Sequence, residues 1–65
     1  MDKQVVKYSA VLDKIVVGFG TVVVPVDHPD TARVTNGEPA WTSTVQSYDE
    51  VTGQFETRNT LYVPA

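Results

Sequence analysis

The sequence predicts an all-β domain, a small antiparallel sheet or barrel-like fold of about five strands, on three observations. Thirteen Val and eight Thr stand among 65 residues, and both side chains are stiff at χ1 and favour the pleated state. Good helix formers are scarce: two Leu, four Ala and one Met. Turn signals recur along the chain, at Asp27-His28-Pro29-Asp30, at Asn36-Gly37 and at Asp49-Glu50-Val51-Thr52-Gly53. At this length residues 1–65 make a single domain.

Residues 4–12 carry Val6, Tyr8, Ala10 and Leu12 in alternation, the period of a half-buried strand. Val5, Tyr8 and Leu12 also fit helical spacing, with Asp2 as a candidate N-cap; the valines and tyrosine favour the strand. Residues 14–26 are the most apolar stretch. Alternation places Ile15, Val17, Phe19, Thr21 and Val23 on one side of it, and Val16, Gly18, Gly20, Val22, Val24 and Val26 on the other. With both sides apolar, one strand covered on both faces is expected, bending at the glycines.

Asp27-His28-Pro29-Asp30 reads as a turn, because Pro29 fixes φ and aspartates bond nearby amides. Asn36-Gly37 predicts a tight hairpin, since both residues tolerate positive φ. Pairing Thr35 with Glu38 sets Val34 against Pro39 and Ala32 against Trp41. Residues 54–63 read as a strand returning on residues 41–48 through a five-residue loop that ends at Gly53. With Tyr48 opposite Gln54, Val45 faces Thr57, Ser43 faces Asn59 and Trp41 faces Leu61. That register gathers Trp41, Val45, Phe55 and Leu61 on one inward face.

A chain this short buries only about 60% of the surface its unfolded form exposes. Small folds make up the shortfall with disulfides, a metal or a partner subunit. There is no Cys and one His, so no metal is expected and the partner subunit remains. The side of the central strand left uncovered by the Trp41 face carries Val16, Val22, Val24 and Val26. Those valines, with Tyr8 and Tyr62 recruited, are expected to meet further copies in a homodimer or homotetramer. Burying four valines is worth roughly 6 kcal/mol gross, set against about 4–15 kcal/mol of association cost. The alternative is a closed barrel whose curvature hides the same valines within one chain.

Five basic and eight acidic side chains give a net charge of -3, which argues against phosphate-rich partners. Tyr8, Tyr48, Phe55 and Tyr62 could stack bases, but the basic stripe of a nucleic-acid binder is missing. No apolar run approaches the ~18 residues of a membrane span, so no membrane partner is expected. Met1-Asp2-Lys3-Gln4 does not open a signal peptide, and the lack of cysteine fits the cytoplasm.

Candidate chemistry is sparse. Gly18-Phe19-Gly20 resembles the start of a dinucleotide fingerprint, but it lacks the third glycine and a following helix; bend glycines are the better reading, and no cofactor is expected. Asp27, His28 and Asp30 are the densest titratable group and the best candidate for a catalytic or metal role, holding a divalent cation or shuttling a proton, although a turn before proline gathers such residues for backbone reasons. Ser43 and Asn59 are expected opposite one another beside Trp41, either as a cross-strand hydrogen bond or as the polar floor of a ligand pocket walled by Trp41 and Phe55. Glu56, Arg58 and Arg33 read as surface charges. Ser9, Ser43 and Ser47 sit in no nucleophile elbow.

The runs Thr42-Ser43-Thr44-Val45-Gln46-Ser47-Tyr48-Asp49 and Gly53-Gln54-Phe55-Glu56-Thr57-Arg58-Asn59-Thr60-Leu61-Tyr62 resemble the C-terminal hairpin of short all-β proteins carried by phages, plasmids and integron cassettes. The resemblance implies a small accessory protein of a mobile element and brings no activity or site residue with it. The functional expectation is a homo-oligomeric binding or interaction module without catalysis, acting on another protein or a small molecule. The alternatives are an enzyme site at the subunit interface and, less favoured, single-stranded nucleic-acid binding.

Overall fold

The alternating run at the start of the chain forms strand β1, Gln4–Val11, which buries Val6 and Tyr8 and leaves Val5, Lys7 and Ser9 exposed. It is one of six strands in the computed structural model, which describes residues 3–29 and 31–65. The others are β2 (Val22–Pro25), β3 (Ala40–Trp41), β4 (Ser47–Asp49), β5 (Gln54–Glu56) and β6 (Thr60–Pro64). The all-β expectation is met. The strands form one sheet in the order β3-β2-β1-β6-β5-β4, in which β1 and β6 run parallel and every other pair antiparallel. The sheet is therefore mixed rather than antiparallel, has six strands rather than five, and its ladder is open.

The edge strands β3 and β4 are consecutive in the chain, and residues 42–46 join them. These residues lie along residues 18–21, with Thr42 N–H donating to Thr21 C=O (2.8 Å), Val45 N–H to Phe19 C=O (2.9 Å) and Gly18 N–H to Val45 C=O (2.8 Å). Gly20 permits this approach: a Cβ there would stand 2.8 Å from the Thr42 carbonyl oxygen. One residue further on, Gln46 N–H donates to Glu56 C=O (2.7 Å), so the chain has crossed from the β2 side to the β5 side. The sheet thus curls around its core without a continuous ladder between its edges.

The core lies on the concave face. Val6, Val23, Val45 and Phe55 are fully buried, with Tyr8 and Tyr62 nearly so. Phe55 stacks on Tyr62 with ring centroids 4.8 Å apart and meets Tyr8 at 5.6 Å in a tilted pair. Val11 and Ile15 pack against this cluster. Buried hydroxyls are bonded: Thr21 donates to Asp13 C=O (3.3 Å) and Tyr8 to Gly53 C=O. The Cα radius of gyration, 10.5 Å, matches the roughly 11 Å of a folded chain of this length.

Three expectations about the elements are corrected. Residues 14–26 are not one strand. Phe19 N–H closes a turn on Val16 C=O (3.1 Å) with Gly18 at φ +96°, and only Val22–Pro25 is extended. Asn36-Gly37 forms a turn, but not the tight hairpin. Gly37 has φ +87° while among the described residues no type other than glycine takes positive φ, and residues 31–33 are turns, not a strand. The Asn36 side chain is instead committed to His28, accepting from its N–H (2.7 Å) and donating to its C=O (3.2 Å). Trp41 consequently pairs with Val22 rather than Ala32.

The last hairpin is shifted by one residue. Asp49 Oδ1 accepts from the amides of Val51 (3.0 Å) and Thr52 (3.4 Å), a side-chain turn that makes Asp49 the last residue of its strand. Asp49 pairs with Gln54, Tyr48 with Phe55 and Ser47 with Glu56. Residues 54–63 are moreover a hairpin of their own. Thr57 N–H bonds Thr60 C=O (2.9 Å) around Arg58-Asn59, and Phe55 pairs with Tyr62.

Candidate functional site

That hairpin and the β2–β3 excursion leave an opening between them. Residues 40–43 are held toward β2, while residues 57–60 are drawn toward β6 by their own turn and by Gln4, whose N–H donates to Asn59 C=O (3.2 Å). The two segments part into a cleft of about 650 Å³. One wall is Ala40, Trp41 and Ser43; the other is Thr57 and Asn59; Gln4, Thr60 and Tyr62 line it from β1 and β6. The excursion supplies His28, Arg33, Val34, Thr35, Glu38 and Pro39. Its position is fixed by the Asn36 clasp on His28, by Gly37 N–H donating to Pro25 C=O (2.8 Å) and by Glu38 N–H closing on Thr35 C=O (3.2 Å).

The lining is mostly polar, with the opposite charges of Arg33 and Glu38 both present. Tyr62 enters it as a neutral phenol: burial raises its pKa, and a side-chain hydrogen bond with Thr60 draws it slightly back. Trp41, Ser43 and Asn59 all line this cleft, and neither Ser43 nor Asn59 belongs to a strand pair. Phe55 is elsewhere. It is buried in the core and borders a smaller depression of about 170 Å³ beside Tyr48 and Leu61.

The turn candidates separate. Asp27 Oδ1 accepts from the Lys7 amide (2.8 Å), beside a bulge in β1 between Tyr8 and Ala10, so this carboxylate supports the backbone. His28 is half-buried and lines the cleft. Asp30 lies outside the described residues. Among the described residues no three His, Cys, Asp or Glu side chains gather in a way that could hold a metal ion. Lys3 Nζ donates to Glu56 Oε2 (2.8 Å) and to the carbonyl of the cleft residue Thr57 (2.9 Å).

A second feature is apolar. Trp41 is 76% exposed and Phe19 67%, with Val17 at 56% and Val16 at 46%. Val16, Val17 and Phe19 flank the turn whose Gly18 N–H donates to Val45 C=O, and Trp41 pairs with Val22, three residues after Phe19. Of the residues expected to mediate self-contact, Val16 and Val26 are exposed, Val22 and Val24 half-buried, and Tyr8 and Tyr62 are core. Alternation points Phe19 inward and the hairpin register points Trp41 inward; the signal against Phe19 is its place between two glycines, the composition of a loop tip. Gln4, Glu38, Thr57 and Thr60 of the cleft had no signal beyond the turns that fold them there.

No helix among the described residues is long and apolar enough to cross a membrane. No family model, curated protein or solved structure matches the chain.

Proposed function

We propose that this protein is a self-associating interaction module in which two copies meet through the surface of Val16, Val17, Phe19 and Trp41. The observation that carries the reading is the exposure of two large aromatic side chains, Phe19 in the turn that leads into β2 and Trp41 on the strand paired with β2. A whole aromatic side chain offers about 150–250 Å², so Phe19 and Trp41 present roughly 300 Å² between them. That matches the lower end of the largest apolar patch on a typical monomer, about 300–600 Å² and often functional, and supplies over a third of the ~800 Å² each partner gives a standard interface. At 1.5–3 kcal/mol per fully buried side chain, scaled by exposed fractions of 46–76%, the four residues contribute about 5 kcal/mol per copy. A symmetric pair uses the patch twice, giving about 10 kcal/mol against an association cost of about 4–15 kcal/mol.

Trp41 is the single tryptophan, so its emission reports the contact directly. Raising the concentration through the micromolar range should shift that emission to the blue while light scattering shows the mass doubling. Phe19→Ser should abolish both changes and leave thermal unfolding intact. A mass that stays monomeric, with constant emission up to the solubility limit, refutes the proposal.

A further inference from the structure

From the open seam of the sheet we infer that the cleft is a strand-addition site, taking an extended, uncharged peptide segment of a partner protein along residues 39–43. This goes beyond self-association and uses the backbone edge of residues 39–43 on the cleft side, which meets the self-association surface at Trp41. In an antiparallel ladder, alternate residues turn their N–H and C=O to opposite sides. Thr42 N–H donates to Thr21 C=O, and Ala40 is in register with Val23, so Ala40 and Thr42 face β2. β2 agrees: Val22 C=O faces β1, accepting from Leu12 N–H (2.8 Å). The backbone N–H and C=O of Trp41 therefore point away from β2, on the side of the cleft that Trp41 and Ser43 line. Among the described residues the Ser43 amide has no acceptor.

The opposite wall does not fill this edge, because Thr57 and Asn59 spend their bonds on Thr60 and Gln4. The same segment is zipped one step further on, where Gln46 N–H meets Glu56 C=O. An incoming strand continues that seam.

The chemistry of the occupant follows from the lining. Small-molecule sites are predominantly apolar, whereas this cleft is mostly polar and bordered by a strand edge, the arrangement in which main-chain hydrogen bonds supply affinity. Arg33 and Glu38 both line it, so their charges offset and an uncharged segment fits best. The edge from Pro39 to Ser43 is roughly 16 Å long at about 3.3 Å per residue, room for four or five residues. Alternate side chains of the guest point inward toward Ala40 and Tyr62, or outward beside Trp41.

The test uses the full chain, as the Phe19→Ser variant to keep self-association out, panned against a displayed library of random short peptides. Enriched peptides should be uncharged and rich in β-branched residues, and should shift the amide NMR signals of residues 39–43. N-methylation of alternate amides of such a peptide should weaken binding roughly three- to tenfold per bond lost, and methylation of the intervening amides should not. Absence of enrichment, tolerance of N-methylation at every position, or shifts confined to residues 16–19 would each overturn the inference. Peptide binding by the unmodified chain that Phe19→Ser abolishes would do the same, since it would place the peptide on the self-association patch.

Discussion

Replacing Gly53 by alanine tests how tightly the 49–53 loop is locked to the rest of the fold. Gly53 has φ +81°, and a Cβ there would stand 2.9 Å from Pro64 Cγ and 3.1 Å from the Tyr8 hydroxyl oxygen. The Tyr8 hydroxyl also donates to the Gly53 carbonyl, so the loop cannot shift away without breaking this part-buried bond. Gly37 provides the control, with φ +87° and nothing within 4 Å of its would-be Cβ. Both substitutions carry the left-handed conformational cost of about 1–2 kcal/mol. Only Gly53→Ala adds overpacking, about 1–3 kcal/mol, for a total of about 2–5 kcal/mol. A 65-residue fold holds roughly 3–10 kcal/mol of stability, and each kcal/mol shifts the Tm of so small a domain by about 4–8 °C. Gly37→Ala should lower the Tm by roughly 5–15 °C and Gly53→Ala by roughly 10–30 °C, read by circular dichroism at matched concentration. Equal losses at the two positions, or a larger loss at Gly37, would show that the contacts at Pro64 and Tyr8 carry no energy.

Stability should also fall at alkaline pH. Burial raises the phenol pKa of Tyr8, helped by nearby Tyr48, and burial likewise raises that of Tyr62. The unfolded chain gives up these protons near pH 10 while the fold retains them, so their contribution is complete below about pH 10 and is lost as pH climbs through the raised values. Urea midpoints measured from neutral to alkaline pH should show that decline, and Tyr8→Phe should cost about 1 kcal/mol at neutral pH yet flatten the slope; an unchanged slope contradicts the burial argument. Asn36→Ala removes both bonds to the His28 backbone and should cost about 1 kcal/mol, with faster amide exchange across residues 28–38. Exchange rates there identical to those of the native chain would show that the clasp does not position this cleft wall.

The strand content was legible because it is written in composition and alternation. β1 follows from Val6 and Tyr8 alternating with polar neighbours, and the Gly53 turn from its position at the end of a loop. The pairing was less legible. Asp49 could serve as loop or strand, and its carboxylate decided the matter by bonding two loop amides, a choice that spacing alone does not distinguish. The parallel pairing of β1 with β6 joins the two ends of the described chain and leaves no local mark. Alternation points Phe19 inward because it assumes an unbroken strand, and the turn at Val16–Phe19 breaks it.

The same physics explains why a cleft stands where a sheet was expected. Pairing residues 41–48 against 54–61 puts Ser43 and Asn59 opposite each other, whereas here both line the cleft without pairing. The hydrogen bonds that would join them have gone elsewhere. Arg58-Asn59 turns the chain so that Thr57 bonds Thr60, Gln4 takes the Asn59 carbonyl, and Gly20 lets residues 18–21 hold Thr42 and Val45 on the far side. Only from Gln46 onward does the seam close. Each of those alternatives satisfies a backbone group that the simple hairpin would also have satisfied, so in enthalpy they compete on nearly equal terms. What separates them is burial: the observed arrangement brings Val45, Phe55 and Tyr62 together inside the curl, at roughly 1.5–3 kcal/mol for each side chain. The open edge at Trp41 and Ser43 is the consequence of satisfying that core first.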